Sequence, residues 1–580
     1  MNFDLNEFLY GQSINAYEYF GAHRIIKDGV EGVVFRLYAP LTRDVSVIGD
    51  FNNWDVTSNK MERIDPNGVF ETFVPGLKDY MNYKFHFLNA KNIYVDKSDP
   101  YAFFSELRPL SASRIFDYSD FIWHDQKHMK QRNRYFARPL SIYELHLGSW
   151  LGKKDNRFLS YEEVADYLIE YCLAHGFNAI EIMPITQYPF DGSWGYQATG
   201  FYSVDSRYGN PKQLMSFIDR MHCAGIAVIL DFVLVHFAVD DYGLIEFDGS
   251  RMYEYNSQEN AFSQWGSALF DLGKDPVRSF LMSAVNYFLT VFHFDGVRFD
   301  AISNVIYWHG NSLKGINDGA IEFIKRLTGK LHYAHPNVIL IAEDSSAYKG
   351  VTAPLENGGL GFDYKWDLGW MHDTLEYFQT GPEYRSRDYH KLTFSMVYFW
   401  NERYMLEYCH DEVVHGKATI LQKMYGDYED KFPQARAMYM YMMIHPGKKL
   451  NFMGNEFGQL REWSEAKEQD WIILKYPIHD AFHKYMIKLN DIYKKEKAFH
   501  YDYHKENFEW LDCHQEERCI YAIGRKTADH MIVGIFNFSD KEQEDYKLIL
   551  EGHYTRRTLL HTEWEQYGGT MKKRKENIHL

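Results

Sequence analysis

Three acidic residues that each follow a short apolar run constrain the fold of this chain more than any other feature. Asp300 closes the run that begins at Gly296, Glu343 follows the run that ends at Ala342, and Asp411 follows His410. In a barrel of parallel strands, the reactive side chains emerge where the strands end. The pattern therefore predicts a barrel enzyme in which carboxyl groups carry the chemistry.

The rhythm of the central part of the chain supports this prediction. Apolar runs alternate there with amphipathic stretches such as 161–175 and 211–222. Strands that alternate with helices pair in parallel, and about eight such units fit a closed (β/α)8 barrel, the TIM barrel. The candidate strands lie at 141–146, 179–185, 227–233, 296–301, 338–342, 363–368, 407–410 and 449–453.

The two ends of the chain have a different pattern. A chain of 580 residues is too long for a single hydrophobic core, because a domain usually has roughly 100 to 200 residues. Short strands bounded by Gly, Pro, Asn and Asp predict an N-terminal β-sandwich and a C-terminal antiparallel β domain. The candidate strands lie at 32–38, 44–49, 69–74, 83–87, 519–523, 531–536 and 546–550. We therefore expect a multidomain α/β protein with domains at 1–125, 126–499 and 500–580.

Charge and cysteine content argue against several classes of protein. The net charge is -17, from 63 basic and 80 acidic residues, which disfavours a surface that binds nucleic acid or an anionic membrane. The five cysteines are odd in number and lack the spacing of a zinc site, which indicates free thiols. Residues 1–10 have no features of a secretion signal. A cytoplasmic location is the expectation.

The environments of two of the acids predict different protonation states. Arg298 and Asp300 are two residues apart, so both side chains leave one face of a strand, and the cation is expected to lower the pKa of Asp300. Glu343 follows an apolar run close to other acids, which is expected to raise its pKa. Each feature alone has a simpler interpretation, a structural ion pair for the first and a capping acid for the second.

Histidines accompany the acids. His410 is adjacent to Asp411, and His236 lies five residues after Asp231 at the end of the third candidate strand. Two imidazoles and a carboxylate could bind sugar hydroxyls or a metal ion, and we favour sugar because no zinc spacing is present. An ionised acid, a neutral acid and a third carboxylate together match retaining glycoside chemistry. No metal or organic cofactor is expected, because carboxyl groups supply both nucleophile and proton.

With these motifs the chain resembles the α-amylase family, and more closely its glycogen branching enzymes. The stretches 231–236, 296–300 and 342–344 match motifs of the wider family, whereas three others are more specific to branching enzymes. These are 189–197 (PFDGSWGYQ), 410–417 (HDEVVHGK) and 452–458 (FMGNEFG). In the first domain, 47–54 (VIGDFNNW) resembles the carbohydrate-binding module that precedes such barrels. The resemblance extends over nearly the whole chain.

The resemblance implies a role for each candidate residue. Asp300 would be the nucleophile, Glu343 the acid/base and Asp411 the residue that stabilises the transition state. The residues that would line the pocket of the reacting sugar are Tyr196, Asp231, His236, Arg298 and His410. The implied reaction cuts an α-1,4-glucan chain and transfers it to a sugar 6-hydroxyl, which forms an α-1,6 branch.

Four positions depart from the family pattern without removing a candidate carboxylate. Phe232 and Leu234 stand where Trp and Pro are usual, Gln187 replaces a Glu, and Cys409 replaces a small polar residue. These changes bear on loop shape and on the chain length that is transferred.

Two other functions fit the same motifs. A debranching or trehalose-releasing hydrolase would share the front module and the barrel, although the branching-type segment 410–417 argues against it. A non-catalytic glucan-binding protein would share the fold, which does not fix function, but all three carboxylates are present. For the branching-enzyme interpretation the expected partner is an α-1,4-glucan, neither nucleic acid nor membrane is expected to bind, and the protein is expected to be a monomer.

Overall fold

The N-terminal region of the computed structural model consists of two antiparallel sheets. The structure describes residues 3–550, 552, 555–572 and 578–579. The first sheet has the strand order Gly21–Lys27, Val30–Tyr38, Val69–Pro75 and Glu62–Asp65. The second contains Arg43–Gly49, Asn82–Leu88, Ser113–Arg114 and Phe104–Ser105, with Tyr94–Lys97 paired to its second strand.

Alternating burial explains how these sheets pack. Along Asn82–Leu88 every second side chain is buried, as expected for a strand with one face on a core. Phe35 of the first sheet meets Tyr83 of the second, with ring centroids 5.1 Å apart. The predicted β-sandwich is therefore present. Its first strand, Gly21–Lys27, was not predicted, because His23 and Arg24 interrupt its apolar residues and its last two residues are exposed.

Eight parallel strands close the predicted barrel. In chain order they are β1 (Ser141–Leu145), β2 (Ala179–Ile182), β3 (Ala227–Phe232), β4 (Gly296–Phe299), β5 (Ile339–Ala342), β6 (Tyr364–Trp366), β7 (Tyr404–Tyr408) and β8 (Lys448–Phe452). Each pairs with its neighbours, and β8 pairs with β1. β7 begins three residues before the predicted position and ends before His410, which lies in the following turn of 3-10 helix.

Helices with clear end signals surround the barrel. Ser160 and Glu163 form a capping box at the start of Tyr161–His175, and Gly176 ends that helix with a φ of 79°. The other long helices are Pro211–Cys223, Asp275–Val291, Asp318–Ala334, Leu368–Gln379, Lys391–Tyr398, Tyr428–Ile444 and Pro477–Lys495. Short α-helices lie at Leu5–Leu9, Gln126–Gln131, Leu147–Trp150 and Ile302–Ile306. Between β5 and β6, in a segment described throughout, only a 3-10 helix at Leu355–Asn357 occurs. None of the described helices combines the length and the apolar character needed to cross a bilayer.

The C-terminal region contains a three-stranded antiparallel sheet. Its strands are Phe508–Gln515, Ile520–Lys526 and Met531–Asn537, and Thr555–Arg556 pairs separately with Ile578–His579. The predicted strand at 546–550 is wrong, because no strand pairs with that segment among the described residues and Ile549 is 88% exposed. Phe508–Gln515 was missed because its Glu, Asp and His side chains break the apolar pattern.

Candidate active site

One buried arginine joins the carboxyl groups at the ends of three barrel strands. Arg298 of β4 donates from Nη1 to both oxygens of Asp231, at 2.7 and 2.8 Å, and to Asp300 Oδ1 at 3.1 Å. Its Nη2 donates to Glu343 Oε2 at 2.8 Å. The guanidinium lies over the ring of Trp366 of β6, 4.5 Å from its centroid. We call Arg298 with these three carboxyl groups the Arg298 cluster.

The backbone beyond β4 fixes the geometry of this cluster. The N–H of Asp300 donates to the carbonyl of Phe232 at 3.1 Å, which extends the β3–β4 ladder by one residue. Ala301 then has a φ of 52°, in the left-handed region, and its N–H donates to Glu343 Oε2 at 2.8 Å. The predicted acids Asp300 and Glu343 therefore face one another across the same turn.

His410 lies just beyond the end of β7, in contact with Glu144 and Asp411. Its backbone N–H donates to Glu144 Oε2 at 3.1 Å, and its ring nitrogen Nδ1 is hydrogen-bonded to the same carboxylate. Asp411 Oδ1 lies 3.5 Å from His410 Nε2, and the Asp411 side chain is about half exposed at 49%. Although burial alone would lower it, Asp411 and Glu144 raise the pKa of His410 to about 9. His410 is thus a cation beside the third predicted acid.

Tyr196 binds two members of the predicted pocket. Its hydroxyl donates to Asp231 Oδ2 at 2.6 Å and lies 3.2 Å from His410 Nε2. The preceding Gly195 has a φ of +98°, and a Cβ there would lie 2.4 Å from the carbonyl oxygen of Pro184. A side chain at that position would collide with backbone, so the glycine allows the loop to bring Tyr196 over the barrel.

His236 lies at the side of this arrangement. The short strand His236–Phe237 pairs with Ala268–Leu269, and the imidazole lies against the ring of Trp265 with centroids 5.4 Å apart. Burial lowers the pKa of His236 to about 4, so the ring is neutral. Its Nδ1 is buried and has no hydrogen-bond partner among the described residues. Of the eight predicted residues, seven are linked to one another by hydrogen bonds or ion pairs, and His236 is the exception.

The predicted direction of the Asp300 pKa is wrong. Burial raises the pKa of Asp300 well above its ordinary value, and the carboxyl groups of Glu343, Asp231 and Asp411 raise it further. Arg298 acts in the opposite direction, but it is shared among three carboxyl groups. The cluster therefore retains a proton, and a cluster that holds one proton among several carboxyls can supply both an acid and a nucleophile.

Sequence reasoning missed two glutamates inside the barrel. Glu144 of β1 and Glu181 of β2 are directly paired in the strand register, so both side chains occupy one layer of the barrel interior. Glu144 accepts from His410, whereas neither oxygen of Glu181 has a hydrogen-bond partner among the described residues. The signal was available, because each is an isolated acid within an apolar run.

The described residues contain one group of side chains with the spacing of metal ligands, and it lies away from this site. His128, His222 and Asp295 each offer a ligand atom within 4.8 Å of the others, at the residue that precedes β4. However, the Asp295 carboxylate already accepts from His128, Arg132, His222 and the N–H of Val228. Its lone pairs are therefore occupied by donors from the protein.

Family comparisons match the three parts of the chain. Carbohydrate-binding module 48 (isoamylase N-terminal domain) matches residues 19–102. The α-amylase catalytic domain matches residues 164–266, and the α-amylase C-terminal all-β domain matches residues 510–579. A putative α-amylase from Salmonella typhimurium, at 17% identity, superposes with a TM-score of 0.70 over 90% of this chain and 93% of that chain. The fold and the site thus define a protein of the α-amylase class.

Sequence relatives narrow this class to one family. The chain is 43% identical over 574 residues to the 1,4-alpha-glucan branching enzyme GlgB of Geobacillus stearothermophilus, covering 98% of this chain and 90% of that protein. It is 42% identical over 576 residues to GlgB of Bacillus caldolyticus, covering 98% and 86%. The chain belongs to the 1,4-α-glucan branching enzyme family, which confirms the resemblance found in its motifs.

Proposed function

We propose that the protein cuts an α-1,4-linked glucan chain and transfers the fragment to a glucan 6-hydroxyl, forming the α-1,6 branches of glycogen. The observation that carries this proposal is the Arg298 cluster, in which one guanidinium holds Asp231, Asp300 and Glu343 at the ends of β3, β4 and β5. Retaining transfer to an acceptor needs two carboxyl groups on either side of one anomeric carbon.

The first step of the proposed reaction breaks the α-1,4 bond. Asp300, in its ionised form, attacks the anomeric carbon and forms a covalent glycosyl ester. Glu343 donates its proton to the departing 4-oxygen, so the leaving chain ends in a free 4-hydroxyl. The raised pKa of Asp300 supports a cluster that holds one proton. For this step the proton must reside on Glu343 once glucan occupies the cleft.

The second step forms the branch. Glu343, now ionised, removes the proton from the 6-hydroxyl of an acceptor glucan, and that oxygen attacks the anomeric carbon and releases Asp300. Glu343 is thereby reprotonated and can donate its proton to the departing 4-oxygen when the next donor bond is cut. Exclusion of water at this stage separates transfer from hydrolysis, since water would release the chain with a new reducing end.

The remaining predicted residues would hold the reacting sugar. We assign Asp411 to stabilising the oxocarbenium-like transition state, which its half-exposed position beside cationic His410 supports. Tyr196 would stack on the sugar ring, and Arg298 and Asp231 would orient the two reacting carboxyls. His236 is neutral and has an unpartnered buried nitrogen, which suits a hydrogen bond to a sugar hydroxyl.

The domain bounds, the oligomeric state, the partner and the location of the protein are also proposals. We propose three units at 1–125, 126–499 and 500–580, a monomeric state, and a neutral α-1,4-glucan as partner in place of nucleic acid or membrane. Net charge of -17 supports the choice of partner. All five cysteines are free, which supports a reducing cytoplasm. No metal or organic cofactor is required, because carboxyl groups perform each step above.

Incubation with amylose tests the function directly. Branching shortens the linear segments that bind iodine, so the iodine colour should fall, while each cut is matched by a new bond and reducing ends should stay constant. A pullulanase-type enzyme added afterwards should release the transferred chains. If reducing ends rise in step with the loss of colour, the protein is a hydrolase and the proposal fails.

A further inference from the structure

Trp265 stands out among the tryptophans because it is exposed. All 13 tryptophans lie in the described part of the chain, and only Trp54 and Trp265 are exposed, with 38% and 47% of their surface open. A single exposed apolar side chain needs no explanation by itself. The position and the rigidity of Trp265 decide whether its indole has a function.

Two contacts place Trp265 at the wall of the candidate active site. Its ring lies 5.4 Å from the imidazole of His236, measured between centroids. Its carbonyl oxygen accepts from Gln197 Nε2 at 3.4 Å, and Gln197 follows Tyr196, whose hydroxyl binds Asp231. The indole therefore lies against one residue of the predicted sugar pocket, His236, and the backbone of Trp265 is bonded to the neighbour of another, Tyr196.

A closed turn fixes the backbone at Trp265. The N–H of Ser263 donates to the carbonyl of Ser267 at 2.8 Å, and Ser263 Oγ accepts from the N–H groups of Trp265 at 3.1 Å and Ser267 at 3.2 Å. Just beyond, Ala268–Leu269 pairs with the strand that carries His236. The fixed backbone and the contact with His236 restrict the position of the indole, and binding to a restricted side chain costs less conformational entropy.

The chemistry of this wall suits a sugar. An indole offers a flat apolar face, to which the C–H face of a glucose ring can pack. Beside it, the buried Nδ1 of His236 has no partner among the described residues, and the ring is neutral. A flat apolar face next to an unused polar atom is the arrangement that binding pockets use to hold and orient a ligand.

We propose that Trp265 is a stacking platform for a glucose unit of the α-1,4-glucan that adjoins the reacting sugar. The inference rests on the proposed function for the identity of its ligand. Trp265 lies apart from the Arg298 cluster, so it binds a unit that is not itself cleaved. Such binding is equal in the ground state and the transition state, and therefore lowers KM without raising kcat. It also helps to determine which length of chain is held for transfer.

Three substitutions at Trp265 distinguish the contribution of aromatic stacking from that of side-chain volume. Trp265→Phe keeps an aromatic face, Trp265→Leu keeps apolar bulk only, and Trp265→Ala removes both. Tyr333→Ala is the matched control, because Tyr333 is 91% exposed on the outer helix Asp318–Ala334. We expect KM for amylose to rise roughly tenfold in the Ala and Leu variants, with kcat within a factor of about two. The KM of the Phe variant should lie between the KM of these two variants and that of the unmodified chain.

Two further readouts complete the test. Calorimetric titration with maltoheptaose should show weaker binding in the Ala and Leu variants, and chain-length analysis of debranched product should show a shifted distribution. If the Leu variant matches the unmodified chain in KM, affinity and chain length, the platform does not exist. Failure of the proposed function is distinguishable, since amylose would then not be branched by any variant, while the maltoheptaose affinities still report on Trp265.

Discussion

The strand β4 carries a charged cluster at each of its ends, and the two clusters are built in opposite ways. Asp295 precedes the strand, and the Asp295 cluster consists of that residue with Asp125, His128, Arg132, His222 and His293. Asp300 follows the strand and belongs to the Arg298 cluster. In the first, two carboxylates face four basic side chains. In the second, three carboxyl groups share one arginine.

The pKa shifts follow this difference in charge balance. Although burial opposes it, the basic neighbours lower the pKa of Asp295 well below its ordinary value. At Asp300, burial and other carboxyl groups raise the pKa instead. A carboxylate with all its acceptor positions filled stabilises the fold, whereas a carboxyl kept from ionising costs stability and retains a reactive proton. The amino end of the barrel is thus built for stability and the carboxyl end for chemistry.

An Asp→Asn substitution at each end of β4 should have opposite effects on activity and stability. Asp300→Asn is expected to have the largest effect. Removal of the proposed nucleophile should lower the rate of amylose branching at least about 10⁴-fold. The free energy of unfolding at pH 7 should not fall, because the amide replaces a carboxyl whose ionisation the site already opposes. Rates from the iodine assay and denaturant titrations check both parts. Residual activity above a tenth of the original would contradict the assignment.

Asp295→Asn should show the reverse pattern. An amide in place of Asp295 leaves the charges of Arg132 and His222 without their shared carboxylate, so we expect a loss of roughly 3 to 5 kcal/mol in the free energy of unfolding. Branching activity per folded molecule should be nearly unchanged. Glu246→Gln is a suitable control, since the exposed pair of Glu246 with Lys91 is worth less than about 1 kcal/mol. A large loss of activity in folded Asp295→Asn would break the comparison.

The pH dependence of stability should reveal His222 as a charged member of the Asp295 cluster. Burial alone would lower its pKa, but Asp295 and Asp125 raise the pKa of His222 to about 9. The stabilisation is fully present below the unfolded pKa of about 6.5 and is lost as pH rises through 9. Comparison with His222→Gln by denaturant titration should show a stability gap that shrinks by roughly 3 kcal/mol across this range. A gap that stays constant with pH would mean that His222 is neutral.

The sequence predicted the candidate site better than the charge state within it. All eight barrel strands were located because buried parallel strands are continuous apolar runs, and the acids Asp300, Glu343 and Asp411 were found at their ends. The Asp300 pKa was predicted in the wrong direction because the sequence does not show how deeply the carboxyl is buried. The sequence also does not show that the fold distributes Arg298 over three carboxyl groups.

Pairing across the barrel brings together residues whose proximity the sequence does not show. Glu144 and Glu181 are 37 residues apart and become neighbours only when β1 and β2 align. His128 and Asp295 meet because the segment before the barrel returns to the start of β4. The false strand at 546–550 shows the converse, since a suitable apolar pattern forms no ladder without a partner.

The smallest expected effect is a pH-dependent change in stability at Glu181, which extends the comparison between the two ends of the barrel. Burial raises the pKa of Glu181 well above its ordinary value, and Glu144 and Asp231 add to the shift. The folded protein therefore keeps a proton there that the unfolded chain releases above about pH 4.5, so stability falls as pH rises. Glu181→Gln lacks this loss, and its stability relative to the unmodified chain should increase by about 1.4 kcal/mol between pH 5 and 6. Denaturant titrations at several pH values measure the difference. A difference that does not change with pH would mean that Glu181 is ionised in the folded protein. The carboxyl end of the barrel would then not retain a proton at this position.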